Sequence, residues 1–345
     1  MVNDSRRSQQ GLWRRVAVVV VLLLASGCAG VLSGASDELV VYSGRSENLI
    51  GPLLERFAEE RDIAIAVKYG DSSELALLLA EEGERSQADV FLSQSPGATG
   101  FLAEQGLLAT LDPSVLRQVP ARFRNESGRW VGLSGRQRVL VYNTEMVDPK
   151  ELPDSVFDLA APRLASQLAV APENGSFQDF VTAMRQTEGE PATQQWLEAI
   201  AEGGARTYAN NSAIVEAVGR GEVPFGLVNH YYNERFLAED PDHPTANYRF
   251  AGDDIGALII PSTGSVLAGS DRALDANELI SFLLTREAQR FYSDETFEYP
   301  LAAGVASPGD LPPLDSIESP PYDIDQLGGG LQRTVELIDE SGLSG

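Results

Sequence analysis

From residue 38 onward the chain alternates between short apolar runs and stretches that carry one apolar face. The runs at 38–44, 63–69 and 88–92 are typical of buried strands. Between them, 48–60 and 74–82 have apolar residues at helical spacing, and the polar residues before the second stretch supply its N-cap. This strand–helix order predicts a parallel α/β sheet, with ligand sites at the carboxyl ends of its strands.

The same kind of pattern starts again in the second part of the chain. Further strands are predicted at 138–142, 167–170, 224–229, 248–250 and 257–260. Helices are predicted at 176–185, 193–202 and 213–219, with two more covering roughly 275–293. The sequence has no short repeat, low-complexity tract or long linker after residue 37. We therefore expect two α/β lobes that the chain crosses more than once.

The N-terminus has the layout of an export signal followed by a tether. Four arginines precede the apolar run Val16 to Ala25, which is too short to span a bilayer. Leu24-Ala25-Ser26-Gly27-Cys28 is similar to a bacterial lipobox. We expect residues 1–27 to be a lipoprotein signal peptide, Cys28 to carry the lipid, and 28–37 to form a flexible tether. An unmodified thiol at Cys28 is the alternative.

Composition narrows the range of partners. The chain has 26 Lys and Arg against 51 Asp and Glu, a net charge of −25. Nucleic acid and anionic lipid are therefore unsuitable partners, and we expect contact with the membrane only through the lipid anchor. The surplus of negative charge attracts cations only weakly at physiological salt. Solubility or adaptation to salt is the plainer explanation for this surplus. Because Cys28 is the single cysteine, the exported protein has no internal disulfide.

Three polar loops, at 42–47, 172–176 and 229–232, follow predicted strands. The second precedes a helix, so its backbone N–H groups and the helix dipole suit an anion, although an ordinary helix cap explains it too. In the third loop Tyr231 and Tyr232 stand side by side. Where a strand turns into a helix, two phenol oxygens can converge, and phenolate is a hard ligand suited to Fe³⁺. Two packed aromatic side chains explain the same pair.

The sequence offers no catalytic motif beside these loops. His230 and His243 lack the spacing and the cysteine partners of a zinc site. Neither a nucleophile elbow, nor a P-loop, nor a metalloprotease helix is found. We therefore expect a binding protein and not an enzyme. Because a two-lobe fold can also host catalysis, a turnover screen would test this expectation.

Several further motifs are shared with one known family. They include Val41-Tyr42-Ser43-Gly44, Leu133-Ser134-Gly135-Arg136, Tyr208-Ala209-Asn210-Asn211-Ser212, Asn229-His230-Tyr231-Tyr232 and Glu298-Tyr299-Pro300-Leu301. Through them the sequence from about 38 to 344 resembles the periplasmic ferric-ion-binding proteins of ABC iron importers. The resemblance implies a class II periplasmic-binding-protein fold, with a ligand cleft and a hinge between two α/β lobes. It places the N-terminal lobe at 38–135 and 257–302, and the C-terminal lobe at 136–256 and 303–345.

The resemblance also implies a function and its main ligands. It implies an extracytoplasmic, monomeric protein that captures ferric iron, bare or chelated, and delivers it to an ABC permease. Tyr231 and Tyr232 would ligate Fe³⁺ from the C-terminal lobe. Tyr142 and Tyr208 are secondary candidates, for which core packing is an equal explanation.

A synergistic anion such as phosphate or carbonate is implied as well. The residues that would hold it are Arg136, Asn211 and the loop Asn174-Gly175-Ser176. An interlobe salt bridge is the alternative explanation for Arg136. A second reading keeps the fold but replaces iron by an organic or inorganic anion, for which Arg45 and Arg136 would matter more than the tyrosines.

The sequence departs from the family pattern in the N-terminal lobe. Some members place a histidine and a glutamate where this chain has Ser46 and Ser73, and others have a tyrosine where Glu47 stands. Glu47 and Glu74 each lie within one residue of these positions and are the candidate replacements. Exposed acids at the starts of helices are the alternative.

Overall fold

Ten strands form a sheet in the computed structural model, which describes residues 38–302, 304–309 and 311–344. The strands are β1 (Leu39–Ser43), β2 (Ile65–Tyr69), β3 (Val90–Ser93), β4 (Val131–Asn143), β5 (Leu168–Val170), β6 (Arg206–Thr207), β7 (Phe225–Asn229), β8 (Thr245–Tyr248), β9 (Ile259–Val266) and β10 (Tyr299–Pro300). The predicted signal peptide, the tether and Cys28 lie outside the described residues.

The sheet has two parts that share β4. Its order is β2-β1-β3-β9-β4-β7-β5-β6, and β8 and β10 also pair with β4. Residues 131–137 of β4 pair with β9, and 138–142 pair with β7. We call β1, β2, β3, β9, β10 and 131–137 the first half-sheet, and β5, β6, β7, β8 and 138–143 the second. The partner of β4 changes close to the predicted lobe limit at 135/136, and the lobe limits themselves stay a prediction.

Helices cover the half-sheets because each presents an apolar face to them. The helices are α1 (Glu47–Arg61), α2 (Ser72–Glu82), α3 (Pro96–Glu104), α4 (Pro113–Leu116), α5 (Pro162–Ala165), α6 (Gly175–Glu188), α7 (Glu190–Glu202), α8 (Asn211–Gly219), α9 (His230–Glu239), α10 (Ala273–Leu283), α11 (Arg286–Asp294) and α12 (Leu331–Glu340). Phe57 and Val90 belong to the apolar cluster of the first half-sheet, which we call the first core. Phe180 and Leu227 belong to that of the second half-sheet, the second core. Among the described helices, none is both long and apolar enough to cross a membrane.

The parallel arrangement of β2, β1 and β3 confirms the prediction from the strand–helix order. Three strand predictions were wrong in extent. β4 begins at Val131 and not at Arg138, and the strand expected at 257–260 runs from Ile259 to Val266. The strand expected at 248–250 is β8, which runs from Thr245 to Tyr248. In β4 and β9 the reason is their polar residues. Both strands contain buried hydroxyls that bond to one another, such as Ser134 Oγ and Ser262 Oγ at 2.6 Å. A search for apolar runs misses such polar strand segments.

The helix α3 was not predicted. Its sequence, PGATGFLAE, carries Gly97 and Gly100, which lower helix propensity. The structure shows a packing reason for the second glycine, because a Cβ on Gly100 would lie 2.5 Å from the Cα of Gly328. Gly328 belongs to a 3₁₀ helix at Ile324–Gly330. Close backbone packing therefore explains a glycine that weakens the local helical signal.

Candidate functional site

The pairing of β4 with β7 places the tyrosine loop beside the point where the two half-sheets join. Arg138 lies opposite Asn229 in this antiparallel pair. The next residues, His230 and Tyr231, therefore begin level with Gln137 and Arg136. α9 starts at His230, so the two tyrosines occupy its first turn. Local strand register thus brings the tyrosine pair close to Arg136.

His230 anchors this turn. Its Nδ1 accepts a hydrogen bond from the backbone N–H of Gln137 (3.1 Å), so its Nε2 carries the proton and donates to the Phe297 carbonyl (2.9 Å). Burial lowers the pKa of His230 to about 4, which keeps the ring neutral. Because both ring nitrogens are engaged, His230 is a hydrogen-bonded neighbour of the tyrosines.

Tyr231 and Tyr232 stack on one another, with ring centroids 4.2 Å apart and planes inclined by 29°. Tyr231 is fully buried, whereas Tyr232 is half-buried and lines a cavity. Burial is the main cause that raises the pKa of Tyr231 well above its usual range, and Tyr232 and Glu298 raise it further. Tyr231 is therefore a neutral phenol here, and a ligated cation has to displace its proton.

The cavity has a volume of about 570 Å³ and is lined by residues that follow strands of both half-sheets. Its lining comprises Gly44, Arg45, Ser46, Glu47, Asn48, Tyr69, Gly70, Asp71, Gln94, Asn174, Gly175, Asn210, Ser212 and Tyr232. The loops after β1 and β2 touch one another here, because a Cβ on Gly44 would lie 2.0 Å from Ser72 Oγ. The cavity therefore lies at the carboxyl ends of strands, where the strand–helix order predicted ligand sites.

The predicted anion loop forms the start of α6. Asn174 caps the helix by accepting hydrogen bonds from the backbone N–H (3.2 Å) and the hydroxyl (2.6 Å) of Ser176. Asn211 Nδ2 also donates to Asn174 Oδ1, at 3.2 Å. Asn174 and Gly175 line the cavity, while Ser176 and Asn211 are buried. The structure thus brings the predicted loop and Asn211 together, and it also shows the helix cap that was the alternative.

Arg136 is fully buried, and all three of its guanidinium nitrogens lack a hydrogen-bond partner among the described residues. Burial lowers the pKa of Arg136, while the nearby Tyr231, Glu298 and Asp179 oppose that effect. In the described part of the chain, no carboxylate oxygen lies within 4.0 Å of a guanidinium nitrogen of Arg136. An unpartnered guanidinium of this kind fits an anionic ligand better than the interlobe salt bridge that was the alternative.

Arg45 has a different position. Its Nη1 and Nη2 donate to the two carboxylate oxygens of Glu298, at 3.1 and 2.6 Å, and both side chains are fully buried. Burial opposes both charges, but the mutual attraction outweighs it, so the pKa of Arg45 is raised and that of Glu298 is lowered. Because Arg45 is engaged by Glu298, it is poorly placed to hold an anionic solute.

Carboxylates reach the cavity from the first half-sheet. Glu47 lines it, whereas Glu74 is exposed on α2 and lies outside the lining. Asp71, which was not among the sequence candidates, also lines it, and burial raises its pKa. The sequence signal that could have indicated Asp71 is its position two residues after the end of β2. Within the described residues no group of three or more His, Cys, Asp or Glu side chains is arranged to hold a metal ion.

Ser46 and Ser73, the serines at which the sequence departs from the expected family pattern, have separate roles. Ser46 lines the cavity, and its hydroxyl donates to Asn48 Oδ1 at 2.8 Å. Ser73 is buried and donates to Gln178 Oε1 of α6 at 2.9 Å. Ser73 therefore links the start of α2 to α6.

The secondary tyrosine candidates are not brought to this cavity. Tyr142 pairs with Phe225 in the sheet and belongs to the second core, where only 9% of its surface is exposed. Tyr208 lines a separate cavity of about 240 Å³ with Pro172 and Leu343. Core packing, the alternative explanation for Tyr142, agrees with its position.

Comparison with known proteins gives consistent matches. A family model describing bacterial extracellular solute-binding proteins matches residues 86–322. The Fe(3+)-binding periplasmic protein of Serratia marcescens is 33% identical over 332 residues, covering 94% of this chain and 97% of that protein. The major ferric iron-binding protein of Neisseria meningitidis is 31% identical over 329 residues, covering 93% and 97%. These matches confirm the resemblance found in the sequence.

A solved structure extends the comparison to the fold. Iron-bound HitA from Pseudomonas aeruginosa superposes with a TM-score of 0.84 at 29% identity, covering 88% of this chain and 99% of that one. The match confirms the predicted two-lobe class II fold.

Proposed function

The chain belongs to the bacterial extracellular solute-binding proteins, and from this membership and its site we propose that it captures ferric iron outside the cytoplasm for an ABC permease. The family is a non-enzymatic component of transport, so no bond of the cargo is made or broken. The lipid anchor at Cys28, a monomeric state and delivery of iron to one particular permease are parts of the same proposal.

The observation that carries the proposal is the stacked tyrosine pair at the cavity. Tyr232 lines the cavity, and Tyr231 stacks on the Tyr232 ring behind it. Two phenolates give hard, anionic oxygen ligands, which suit a small ion of high charge. Bound Fe³⁺ would offset the burial that keeps Tyr231 protonated. Glu47 and Asp71 line the same cavity, and they are our candidates to complete the coordination from the first half-sheet.

The anion part of the proposal rests on Arg136 and the start of α6. A phosphate or carbonate that bridges iron and this region would accept hydrogen bonds from an otherwise unpartnered guanidinium. Closing the cleft around iron and anion would then join the two lobes, because both lobes gain contacts only in the closed form.

The test is an absorption titration of the purified protein with ferric citrate. We expect a broad visible tyrosinate-to-iron band, and iron that stays bound after desalting. The double variant Tyr231→Phe, Tyr232→Phe removes both phenol oxygens and keeps both rings, so it should lose the band and the iron while its circular dichroism is unchanged. Tyr208→Phe is the matched control, because that tyrosine lines a different cavity.

An unchanged band in the double variant would overturn the assignment of the ligands. A wild-type protein with no band and no retained iron would overturn iron as the cargo. The anionic solute considered in the sequence analysis would then replace it.

A further inference from the structure

Gln94 reaches the tyrosine pair from the opposite half-sheet. It directly follows β3, it is half-buried, and its side chain lines the cavity. Its backbone N–H donates to Ser72 Oγ at 3.0 Å, which ties the loop after β3 to the start of α2. The backbone that carries Gln94 is therefore held in place before any ligand arrives.

The hydrogen-bond partners of Gln94 define how its amide is oriented. Arg45 Nη1 lies 3.5 Å from Gln94 Oε1, and a guanidinium can only donate, so the amide oxygen has to face Arg45. The amide nitrogen then faces the other side, where Gln94 Nε2 donates to the Tyr231 hydroxyl oxygen at 3.2 Å. Because Arg45 is itself held by Glu298, the direction of this donor is set by buried groups.

We propose that Gln94 is a positioning residue for iron, which donates a hydrogen bond across the cleft to the Tyr231 oxygen that ligates the ion. This inference rests on the proposed function, since it assumes that Tyr231 is a ligand. Donation from one side of the oxygen leaves its other lone pair for the metal. The same bond joins a residue after β3 to a residue after β7, so it contributes to the closed form of the cleft.

A hydrogen bond to a coordinated phenolate has a spectroscopic consequence. It stabilises the filled orbital from which the charge-transfer electron leaves, so the tyrosinate-to-iron band lies at higher energy. Without the donor the band moves to longer wavelength. A residue that only packed against the ring would not change the band in this way.

The experiment compares the purified wild-type protein with Gln94→Met in a titration with ferric citrate. Methionine is also unbranched, but it has no N–H donor. We expect the variant to keep the visible band, shifted to longer wavelength, and to bind iron about tenfold more weakly, as for the loss of one hydrogen bond to a charged group. Gln105→Met is the matched control, because Gln105 is an exposed glutamine at the end of α3.

The experiment distinguishes failure of this inference from failure of the proposed function. A wild-type band that Gln94→Met leaves at the same wavelength, with unchanged affinity, overturns this inference and leaves the proposed function standing. The absence of any band in the wild-type protein overturns the proposed function, and this inference with it.

Discussion

At the scale of single residues, the site contains buried arginines that differ in whether a carboxylate pairs with them. Arg45 has a carboxylate partner, whereas Arg136 has none within hydrogen-bond distance. Arg138, two residues further along β4, lies over the rings of Phe177 and Phe180 at 5.6 and 5.4 Å. Burial, together with the smaller effect of the charge of Arg136, lowers the pKa of Arg138 to about 9. The region beside the tyrosines thus holds more positive charge than its own groups neutralise.

Replacing Arg136 tests whether this charge serves an anion. Arg136→Met removes a buried, unpartnered cation, so we expect the iron-free protein to become more stable by about 1–3 kcal/mol. We also expect phosphate or carbonate to lose its effect on iron retention in this variant. Urea unfolding and iron retention with and without each anion measure the two effects.

The exposed Arg122, which pairs with Asp315 at 3.2 Å, provides the matched control Arg122→Met. A variant of Arg136 that is less stable than the wild type and still responds to the anions would contradict this role.

At the scale of elements, α3 is held by close backbone contact as well as by its fully buried Leu102. Gly100 meets Gly328, and Leu327 from the same 3₁₀ helix is fully buried in the second core. A segment near the C-terminus therefore packs on a helix that directly follows β3. The two glycines allow this approach, which any larger residue would push apart.

Gly100→Ala should destabilise the protein by about 1–3 kcal/mol, because its Cβ would clash with backbone that cannot rotate away. Denaturant unfolding measures the change. Gly269→Ala is the control, since a Cβ there meets nothing within 4 Å. Equal stability of the two variants would show that the contact of α3 with the 3₁₀ helix can relax without loss.

At the scale of the whole molecule, Asp179 links the two halves. It lies on α6, and its Oδ1 accepts hydrogen bonds from Ser95 Oγ (2.6 Å) and from the N–H of Gly97 (3.1 Å) at the start of α3. Burial raises the pKa of Asp179 to about 7. The hydrogen bonds and Arg136 oppose this rise, Asp71 adds to it, and Tyr322 also lies close enough to interact.

This carboxyl makes stability depend on pH with a definite sign. Its pKa is higher in the folded state than the ordinary value of 3.8, so the folded protein retains a proton that the unfolded chain releases. The contribution to stability is fully present below pH 3.8 and is lost as the pH rises toward 7. Asp179→Asn does not titrate but keeps an oxygen for Ser95 and Gly97.

We therefore expect the unfolding free energy of the wild type, relative to Asp179→Asn, to fall by about 2–3 kcal/mol between pH 5 and pH 8. Urea unfolding of both proteins at the two pH values measures this difference. A difference that is the same at both values would show that Asp179 is ionised throughout.

The sequence by itself determined the elements whose signals are local. Apolar spacing located β1, β2 and β3 and the helices between them, because burial of one face imposes that spacing. The adjacent tyrosines and the polar loops at strand ends were visible because they too are local features of the sequence. Their resemblance to a known family also predicted the class of fold.

Only the tertiary structure decided which candidates meet. It placed Tyr142 in the core and Tyr208 at another cavity, and it brought Asp71 and Gln94 to the site. It also showed that the two arginines differ. Arg45 pairs with Glu298, which lies 253 positions away in the sequence, whereas Arg136 has no partner among the described residues. Such differences depend on contacts between residues far apart in the chain. Local spacing carries no record of them, because strand pairing and burial arise only when the whole chain is folded.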